Sequence, residues 1–180
     1  MIYTTTYQSP LGVLMLASDG HNLIGLWNNN QKYHGQTLLV KPLVKDDLPI
    51  FILVKNWLDR YFNHESPQIN ELPLLPINNS EFRQKVWQIL CEIPYGETIT
   101  YGDIAKRVAV QMNKEKMSAQ AVGGAVGHNP ISIIVPCHRV MGNNNNLTGY
   151  AGGLDKKIWL LKHEGIEDKH LIRPTKGTAL

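Results

Sequence analysis

A cysteine, a histidine and an arginine are adjacent in this 180-residue chain, as Cys137, His138 and Arg139. Cysteine attacks strongly only as the thiolate, and a free thiol is mostly protonated at neutral pH, so a reactive cysteine needs a base or a positive field. His138 could supply the base and Arg139 the field. The other interpretation is that Cys137 is a small core hydrophobe, because free cysteines are among the most buried residues in proteins. Without further partners, that second interpretation would be favoured.

The run Ile133-Ile134-Val135, which leads to Pro136 and the cysteine, predicts a buried strand. Ile133, Ile134 and Val135 are β-branched and apolar, which favours a strand entering the interior. Pro136 has no N–H to donate to a sheet, so it interrupts the strand directly before the cysteine. We therefore expect the thiol to lie where a buried strand breaks.

Composition sets wide limits on function. A chain that is 43% hydrophobic can bury a real core, as one domain or as two small ones. A net charge of +3 permits an anionic partner without requiring one. The chain has two cysteines and no start resembling a secretory signal, which predicts a cytoplasmic protein with free thiols. It has no apolar run near the ~20 residues that span a bilayer, which predicts no membrane contact. No Cys and His cluster has the spacing of a metal site.

The first 76 residues predict a small antiparallel sheet covered by one helix. Three runs of β-forming residues are separated by turn signals, at residues 2–7, 13–17 and 23–27. Residues 48–62 then carry apolar side chains at helical spacing, which predicts a helix packed on the sheet. That apolar face consists of Leu48, Phe51, Ile52, Val54, Trp57, Leu58, Tyr61 and Phe62. The proline-bounded segment 72–76 is either a domain boundary or an ordinary loop within one domain.

Hydroxyl side chains predict the starts of three helices in the second half of the chain. Ser80 precedes a helix to about residue 93, Thr100 precedes one at 101–110, and Ser118 precedes one of small residues at 119–126. The last two helices are compatible with a helix-turn-helix, although tight packing against protein would also explain the small residues. Cys91, near the end of the first of these helices, is interpreted as a packing residue.

A last helix is predicted over residues 154–164, ended by Gly165. Glu164 lies at its C-terminus, where the helix dipole disfavours a carboxylate, so a cationic or hydrogen-bonding partner would explain its position. A solvated surface glutamate is the alternative. Residues 168–180 are predicted to form a polar tail.

Several motifs in this order resemble the methylated-DNA–protein-cysteine methyltransferases, the O6-alkylguanine-DNA alkyltransferases. The resemblance is dense over residues 82–165 and general in the first half. The motifs are Ala121-Val122-Gly123-Gly124-Ala125, Asn129-Pro130, Pro136-Cys137-His138-Arg139-Val140, Gly149-Tyr150-Ala151-Gly152-Gly153 and Leu160-Leu161-Lys162-His163-Glu164-Gly165.

The resemblance implies an α/β (α+β) fold in two domains. Residues 1–76 would form a small ribonuclease H-like domain, an antiparallel sheet with a covering helix. Residues 77–167 would form a mostly helical catalytic domain with a winged helix-turn-helix-like DNA-binding unit, followed by the tail.

The resemblance also implies a role for each matching residue. Cys137 would accept the alkyl group, His138 would act through a water as the base, and Glu164 would orient and charge-stabilise that histidine. Asn129 would brace the turn that bears the cysteine, and Tyr101 would hydrogen-bond the departing guanine at N3. The base pocket would be lined by Val140, Tyr150, Ala151 and Gly152. DNA would be contacted by Thr100, Ala119, Gln120, Ala121, Gly123 and Arg139.

The partner implied by the resemblance is double-stranded DNA that contains O6-alkylguanine, bound through the minor groove by a monomer. The alkylated base would be flipped out of the duplex, and the alkyl group would pass irreversibly to the cysteine, so that each molecule reacts once. No metal or organic cofactor would be required.

One position departs from the family pattern. An arginine usually precedes the Ala-Val-Gly motif and fills the gap left by the flipped base, whereas this chain has Gln120. Glutamine can fill space and form hydrogen bonds, but it lacks a planar cation. We therefore expect weaker DNA affinity or slower repair than an arginine version would show.

Two other functions share parts of this pattern. A non-catalytic alkyltransferase-like damage-binding protein has the same frame but lacks the cysteine, which this chain keeps. A Cys-His-Glu hydrolase would share the catalytic residues but would need an oxyanion hole and would turn over repeatedly.

Overall fold

The computed structural model describes residues 1–29, 31–36, 38, 40–76, 80–167, 169 and 171–173. The chain divides into an N-terminal unit, residues 1–78 with 130–134, and a C-terminal unit, residues 79–129 with 135–180. The predicted domain start at residue 77 and most of the predicted tail, at 168, 170 and 174–180, lie outside the described residues.

The N-terminal unit is built on a four-stranded sheet in the order β3-β2-β1-β4. Its strands are β1 (Tyr3–Ser9), β2 (Gly12–Ser18), β3 (Leu23–Asn28) and β4 (Leu43–Val44). The first three strands form the predicted antiparallel meander, with Ser9 opposite Gly12 at the first turn, and β4 adds a short parallel edge. Local turn signals were sufficient to locate the meander, whereas the two exposed residues of β4 carry no strand pattern.

Helix α1 (Pro49–Phe62) packs on this sheet and completes the hydrophobic core of the N-terminal unit. Pro49 occupies the first turn, where a proline has no intrahelical N–H bond to lose. Phe51, Val54 and Leu58 are fully buried, as predicted, but Ile52 is 60% exposed. The predicted apolar face was therefore drawn too wide, since Ile52 points away from the residues that pack on the sheet.

In its described residues, the C-terminal unit contains four α-helices and a two-stranded parallel sheet. They are α2 (Glu81–Cys91), β5 (Ile99–Thr100), α3 (Tyr101–Gln111), α4 (Ala119–Gly127), β6 (Val140–Met141) and α5 (Leu154–His163). The predicted caps are present, because the hydroxyl groups of Ser80, Thr100 and Ser118 accept backbone N–H groups in the first turns of α2, α3 and α4. The mixed α/β class is confirmed.

The two-stranded sheet places the segment after the cysteine beside the start of α3, and the end of helix α5 is marked by a glycine. Ile99 pairs with Val140, so the residues just after the cysteine lie beside the start of α3. Helix α5 ends at His163, and Gly165 has φ of +88°, a left-handed conformation that suits glycine after a helix.

The strand predicted for the run Ile133-Ile134-Val135 is not present. Leu26 in β3 exchanges backbone hydrogen bonds with Pro130 and Ser132, at 2.8 and 2.9 Å, so the pairing is confined to one bridge at Ile131. Ile133 then has φ of +71°, a left-handed conformation that ends any extended strand. The cysteine itself lies in a short 3-10 helix, Cys137–Arg139.

No helix in the described part of the chain is long and apolar enough to cross a membrane.

Candidate active site

The turn that carries Cys137 is fixed by backbone and side-chain hydrogen bonds. The backbone N–H of Cys137 donates to the Val135 carbonyl at 2.8 Å. Asn129, two residues after the end of α4, donates its amide Nδ2 to that same carbonyl at 2.8 Å and to Cys137 Sγ at 3.1 Å. The asparagine therefore braces the turn and also places a hydrogen-bond donor on the sulfur.

His138 and Glu164 form a buried pair beside this turn. His138 Nε2 lies 2.7 Å from Glu164 Oε1, and both side chains are fully buried. An ionised carboxylate only accepts hydrogen bonds, so Nε2 carries the proton and donates it. The other ring nitrogen, Nδ1, has no hydrogen-bond partner among the described residues. In this tautomer Nδ1 is an acceptor, as a general base requires.

The charges of this pair are set by burial and by Arg139. Burial alone would raise the pKa of Glu164, but His138 and Arg139 outweigh it and hold that pKa well below its usual range. Burial lowers the pKa of His138, although Glu164 opposes the shift. The resting site therefore contains an ionised glutamate and a neutral imidazole that can take up a proton.

Arg139 is not placed to contact DNA, contrary to the sequence prediction. Its side chain is buried, and its Nε and Nη2 donate to the two Glu164 oxygens at 2.7 and 3.0 Å. Its Nη1 donates to the Ile93 carbonyl at 2.6 Å. All three nitrogen atoms are engaged inside the protein, so the guanidinium acts on Glu164 and not on phosphate.

The thiol of Cys137 is buried, with 4% of the residue exposed. Burial raises the pKa of this thiol, while the Asn129 amide, the Lys157 ammonium and nearby backbone N–H groups act in the opposite direction. The cysteine is therefore protonated at rest, in surroundings that stabilise the thiolate once a base removes the proton.

Lys157 was missed by the sequence interpretation. This lysine of α5 is fully buried, and its Nζ donates to the Val140 carbonyl at 2.5 Å and the Thr148 carbonyl at 2.9 Å. A signal was available, because Lys157 occupies the same helical stripe as the apolar residues Leu154, Ile158 and Leu161.

Tyr101 and Gly123 are brought together where α3 begins. Burial raises the pKa of the Tyr101 phenol, so it stays protonated and can donate. A Cβ atom at Gly123 would come within 3.8 Å of the Tyr101 ring, so this glycine of α4 lies beside the tyrosine. The Thr100 hydroxyl is engaged in capping α3, where it donates to Asp103 at 2.6 Å.

Helix α4 presents one open face and one packed face. Ala119, Gln120 and Ala121 are exposed, and a Cβ atom at Gly124 would meet nothing within 4 Å. Val122, Ala125 and Val126 are buried on the other side. The open face is thus built from small side chains and one amide.

The other predicted pocket residues lie in β6 and the loop that follows it. Val140 is fully buried, whereas Tyr150, Ala151 and Gly152 are partly exposed. The Gly153 N–H donates to the Tyr150 carbonyl at 2.9 Å, which closes a turn around these three residues.

Cys91 is exposed at the end of α2, so its interpretation as a packing residue is wrong. Surrounding atoms still desolvate its thiol and, with Glu92, raise its pKa to about 11. Within the described ranges, no group of three or more His, Cys, Asp or Glu side chains is arranged to hold a metal ion.

Two family models match this chain and together cover most of it. The model described as "6-O-methylguanine DNA methyltransferase, ribonuclease-like domain" matches residues 2–76. The model described as "6-O-methylguanine DNA methyltransferase, DNA binding domain" matches residues 81–166.

Individual proteins are similar over nearly the whole chain. The methylated-DNA–protein-cysteine methyltransferase of Haemophilus influenzae is 43% identical over 171 residues, which are 92% of this chain and 87% of that protein. The O6-methylguanine methyltransferase structure from Mycobacterium tuberculosis has a TM-score of 0.77 and 38% identity, with 91% and 93% of the two chains covered. A structure of Mycobacterium tuberculosis OGT in complex with DNA has a TM-score of 0.77 and 36% identity, with 94% and 95% covered.

Proposed function

This chain belongs to the 6-O-methylguanine DNA methyltransferase family, and on that basis we propose that it repairs DNA by moving the alkyl group of O6-alkylguanine to its own Cys137. The observation that supports this chemistry is a buried hydrogen-bonded group of four side chains. In it the Asn129 amide donates to Cys137 Sγ, and His138 Nε2 donates to Glu164. A thiol, a base and a residue that orients the base are the parts of an activated nucleophile.

Burial of the thiol requires the substrate base to leave the duplex. O6 of a guanine lies within the stacked base pairs, and the Cys137 sulfur lies inside the protein. The base must therefore rotate out into the protein, at a cost of a few kcal/mol. We place it between Tyr101 and the residues Val140, Tyr150, Ala151 and Gly152.

Proton transfer from Cys137 begins the reaction. The thiol proton passes to His138 Nδ1 through a water, and the resulting imidazolium is stabilised by the Glu164 carboxylate 2.7 Å from Nε2. The Asn129 amide, 3.1 Å from the sulfur, stabilises the thiolate as it forms.

The alkyl transfer is a single displacement that consumes no other reagent. The sulfur forms a bond to the alkyl carbon, the carbon–oxygen bond breaks, and its electron pair stays on the guanine. The Tyr101 hydroxyl donates a hydrogen bond to N3 as negative charge develops on the base. The departing guanine anion regains one proton, which balances the proton lost by the thiol. The thioether left on Cys137 is stable, so each molecule reacts once.

Helix α4 is the element that we propose enters the minor groove. Its open face carries small residues, which suit a groove only ~6 Å wide. Contacts there would be to phosphates and groove walls, so binding would be largely independent of sequence. The reaction needs a reduced cysteine, and we propose the cytoplasm as its location.

Stoichiometry tests this proposal. Wild-type protein is incubated with duplex DNA containing O6-methylguanine, and the intact chain is weighed by mass spectrometry. We expect one added methyl group, found on the Cys137 peptide, and none in Cys137→Ala. Cys91→Ala is the matched control and should react like the wild type.

Two outcomes would contradict the proposal. Repeated turnover by one molecule would indicate a hydrolase, and a methyl group on Cys91 would assign the chemistry elsewhere. A non-catalytic damage binder is not favoured, because it would have no use for the activated cysteine that this chain retains.

A further inference from the structure

We propose that Tyr95 is a positioning residue of this site, which keeps the Glu164 carboxylate in place beside His138. It acts through Arg139 and through the end of α5. The inference rests on the proposed function for its biological meaning. It concerns the turn at residues 93–96, after α2, which the reaction described above does not use.

The first observation is the set of groups that hold the Glu164 carboxylate. His138 Nε2 and Arg139 Nη2 lie 2.7 and 3.0 Å from Oε1, and Arg139 Nε lies 2.7 Å from Oε2. The backbone N–H of Gly96 donates a longer hydrogen bond to Oε2, at 3.4 Å. The histidine therefore shares this carboxylate with Arg139 and with the turn that contains Tyr95.

The second observation is that the same turn fixes Arg139. Its Nη1 donates to the Ile93 carbonyl at 2.6 Å, and its guanidinium carbon lies 5.7 Å from the centroid of the Tyr95 ring. That distance is within the range of a cation–π contact. A planar guanidinium with a carbonyl at its edge and a ring over its face is held in one orientation. Tyr95 thereby helps to set the plane in which Arg139 presents two N–H groups to Glu164.

The third observation concerns the Tyr95 hydroxyl, which donates to the His163 carbonyl at 3.1 Å. His163 is the last residue of α5, and the last carbonyls of a helix have no partner within the helix. Glu164 follows directly, so this bond fixes the point where its backbone leaves α5. Burial raises the pKa of the Tyr95 phenol, and Glu164 adds to the shift, so the hydroxyl stays protonated and can donate.

The turn also packs closely against the backbone of Glu164. Gly96 has φ of +77°, and a Cβ atom at this position would lie 2.9 Å from the Glu164 carbonyl oxygen. The turn therefore contacts both the side chain and the main chain of the glutamate. A shift of the turn would move Glu164 as a whole.

The consequence for the reaction is the basicity of His138. Burial lowers the pKa of His138, and Arg139 and Lys157 act in the same direction, whereas Glu164 raises it. A carboxylate that is already in place stabilises the imidazolium without reorganisation when the proton arrives. A displaced Glu164 would leave the two cations opposed by less negative charge, so the imidazole would be a weaker base.

The pH dependence of single-turnover methyl transfer from an O6-methylguanine duplex tests this role. Tyr95→Leu removes both the ring and the hydroxyl, and Tyr95→Phe keeps the ring. Tyr3→Leu is the matched control, because Tyr3 is a half-buried tyrosine of the N-terminal unit whose ring lies 6.0 Å from Lys45 Nζ, also a cation contact.

We expect Tyr95→Leu to react about tenfold more slowly than the wild type at neutral pH, per folded molecule, and Tyr95→Phe about threefold more slowly. Both losses should shrink as the pH rises, because more thiolate then forms without help from the base. Tyr3→Leu should keep the wild-type rate.

Two kinetic results would overturn the inference. One is a Tyr95→Leu protein that reacts as fast as the wild type at neutral pH. The other is a loss by the same factor at every pH, which a purely structural role would produce.

A second measurement needs neither DNA nor the reaction. The His138 Nε2 proton, which Glu164 accepts at 2.7 Å, is observed by proton NMR. A displaced carboxylate weakens that hydrogen bond, so the signal should move to higher field and exchange faster with water in Tyr95→Leu. Tyr95→Phe, the milder substitution, should show a smaller shift in the same direction and serves as the test if Tyr95→Leu does not fold. An unchanged signal in a folded variant would contradict the role of Tyr95.

The two proposals fail separately. If the His138 signal responds to the Tyr95 variants but the wild type takes no methyl group from DNA, the proposed function is wrong and the role of Tyr95 stands. If the wild type takes the methyl group and the Tyr95 variants match it in rate and in signal, the function stands and the inference about Tyr95 is wrong.

Discussion

The two units of this protein bury polar groups of different kinds. In the described part of the N-terminal unit, the buried polar residues are all neutral, namely Thr4, Thr5, Ser18, Asn28, Gln31 and Ser132. In that of the C-terminal unit they are Asn129 and four ionisable residues, His138, Arg139, Lys157 and Glu164. A buried charge costs several kcal/mol unless it is paired, so such a concentration beside one cysteine is typical of a functional site.

The neutral polar groups of the N-terminal unit hold the backbone in place. Gln31 Oε1 accepts the Asn28 N–H at 3.1 Å and the Ser132 hydroxyl at 3.1 Å. These bonds fasten the segment 130–134 beside the end of β3. Buried polar side chains therefore hold backbone segments together in the N-terminal unit and set the charges around the cysteine in the C-terminal unit. Substitutions in the first group should change mainly stability, and substitutions in the second should also change the rate of methyl transfer.

The largest effect should follow from Glu164→Gln in the C-terminal unit. The amide cannot stabilise the imidazolium, and it leaves the buried Arg139 guanidinium without its carboxylate. We expect methyl transfer to fall about a hundredfold or more. The free energy of unfolding should also fall, by about 3 kcal/mol. Single-turnover kinetics and urea unfolding measure the two quantities.

Glu167→Gln is the matched control for that variant. Glu167 is exposed and pairs with Lys169 at the surface. The same chemical change there should leave both the rate and the stability nearly unchanged. Comparable losses in the two variants would show that the buried charge set has no special role.

The second effect is the pH dependence of stability. The folded protein holds the pKa of Glu164 well below its usual range. Near the ordinary glutamate pKa of about 4.3, the folded state therefore binds fewer protons than the unfolded chain. The stability contributed by this carboxylate is complete above that pH and is lost as the pH falls through it toward the folded pKa.

Urea unfolding of wild type and Glu164→Gln at a series of pH values tests this. The difference in unfolding free energy between them should be constant near neutrality and should shrink below about pH 4. A difference that persists unchanged into acid would mean that the ionised carboxylate does not stabilise the fold.

Features set by neighbouring residues were predictable from the sequence. The caps at Ser80, Thr100 and Ser118 depend on one hydroxyl and the N–H groups two or three residues later, and all three are present. The strand predicted for the run Ile133-Ile134-Val135 is absent because tertiary pairing decides this segment. The bridge of Ile131 to β3 and the left-handed Ile133 leave no extended chain.

The charged residues of the site also show the difference between what neighbouring residues determine and what only the folded structure determines. The resemblance implied that Arg139 contacts DNA, but the direction of its side chain depends on Ile93 and Glu164, which are distant in the chain. Lys157 was overlooked because lysine is usually solvated, and only its place in the apolar stripe of α5 marked it. The geometry around Glu164 required folded coordinates, because its unfavourable place at a helix end had left both a partner and a solvated surface position open.

A smaller effect is expected on the open face of α4. Gln120 is exposed in the first turn of α4. Gln120→Arg adds a planar cation where DNA would bind, so we expect several-fold tighter binding and a salt dependence steeper by about one phosphate contact. Binding to a methylated duplex at several salt concentrations measures both, and repair at low DNA concentration should be faster.

Gln88→Arg controls for the added charge. Gln88 is exposed on α2, so this variant has the same net charge without a new group on α4. It should gain little affinity. If Gln120→Arg repaired DNA no better than the wild type, the glutamine would not be a handicap at this position.

The smallest effect on repair is expected in the N-terminal unit. The Tyr7 hydroxyl in β1 donates to Asp59 in α1 at 2.7 Å, and burial raises the pKa of Tyr7 above its usual range, so the donor persists at all moderate pH values. Tyr7→Phe removes that bond and should cost about 1 kcal/mol of stability, because a single hydrogen bond contributes that much on average. The methyl-transfer rate per folded molecule should not change.

Tyr101→Phe makes the identical change in the C-terminal unit, where loss of the hydroxyl should slow transfer at least about tenfold with little change in stability. Equal kinetic effects of the two tyrosine variants would contradict the separation of structural and chemical polar groups between the two units.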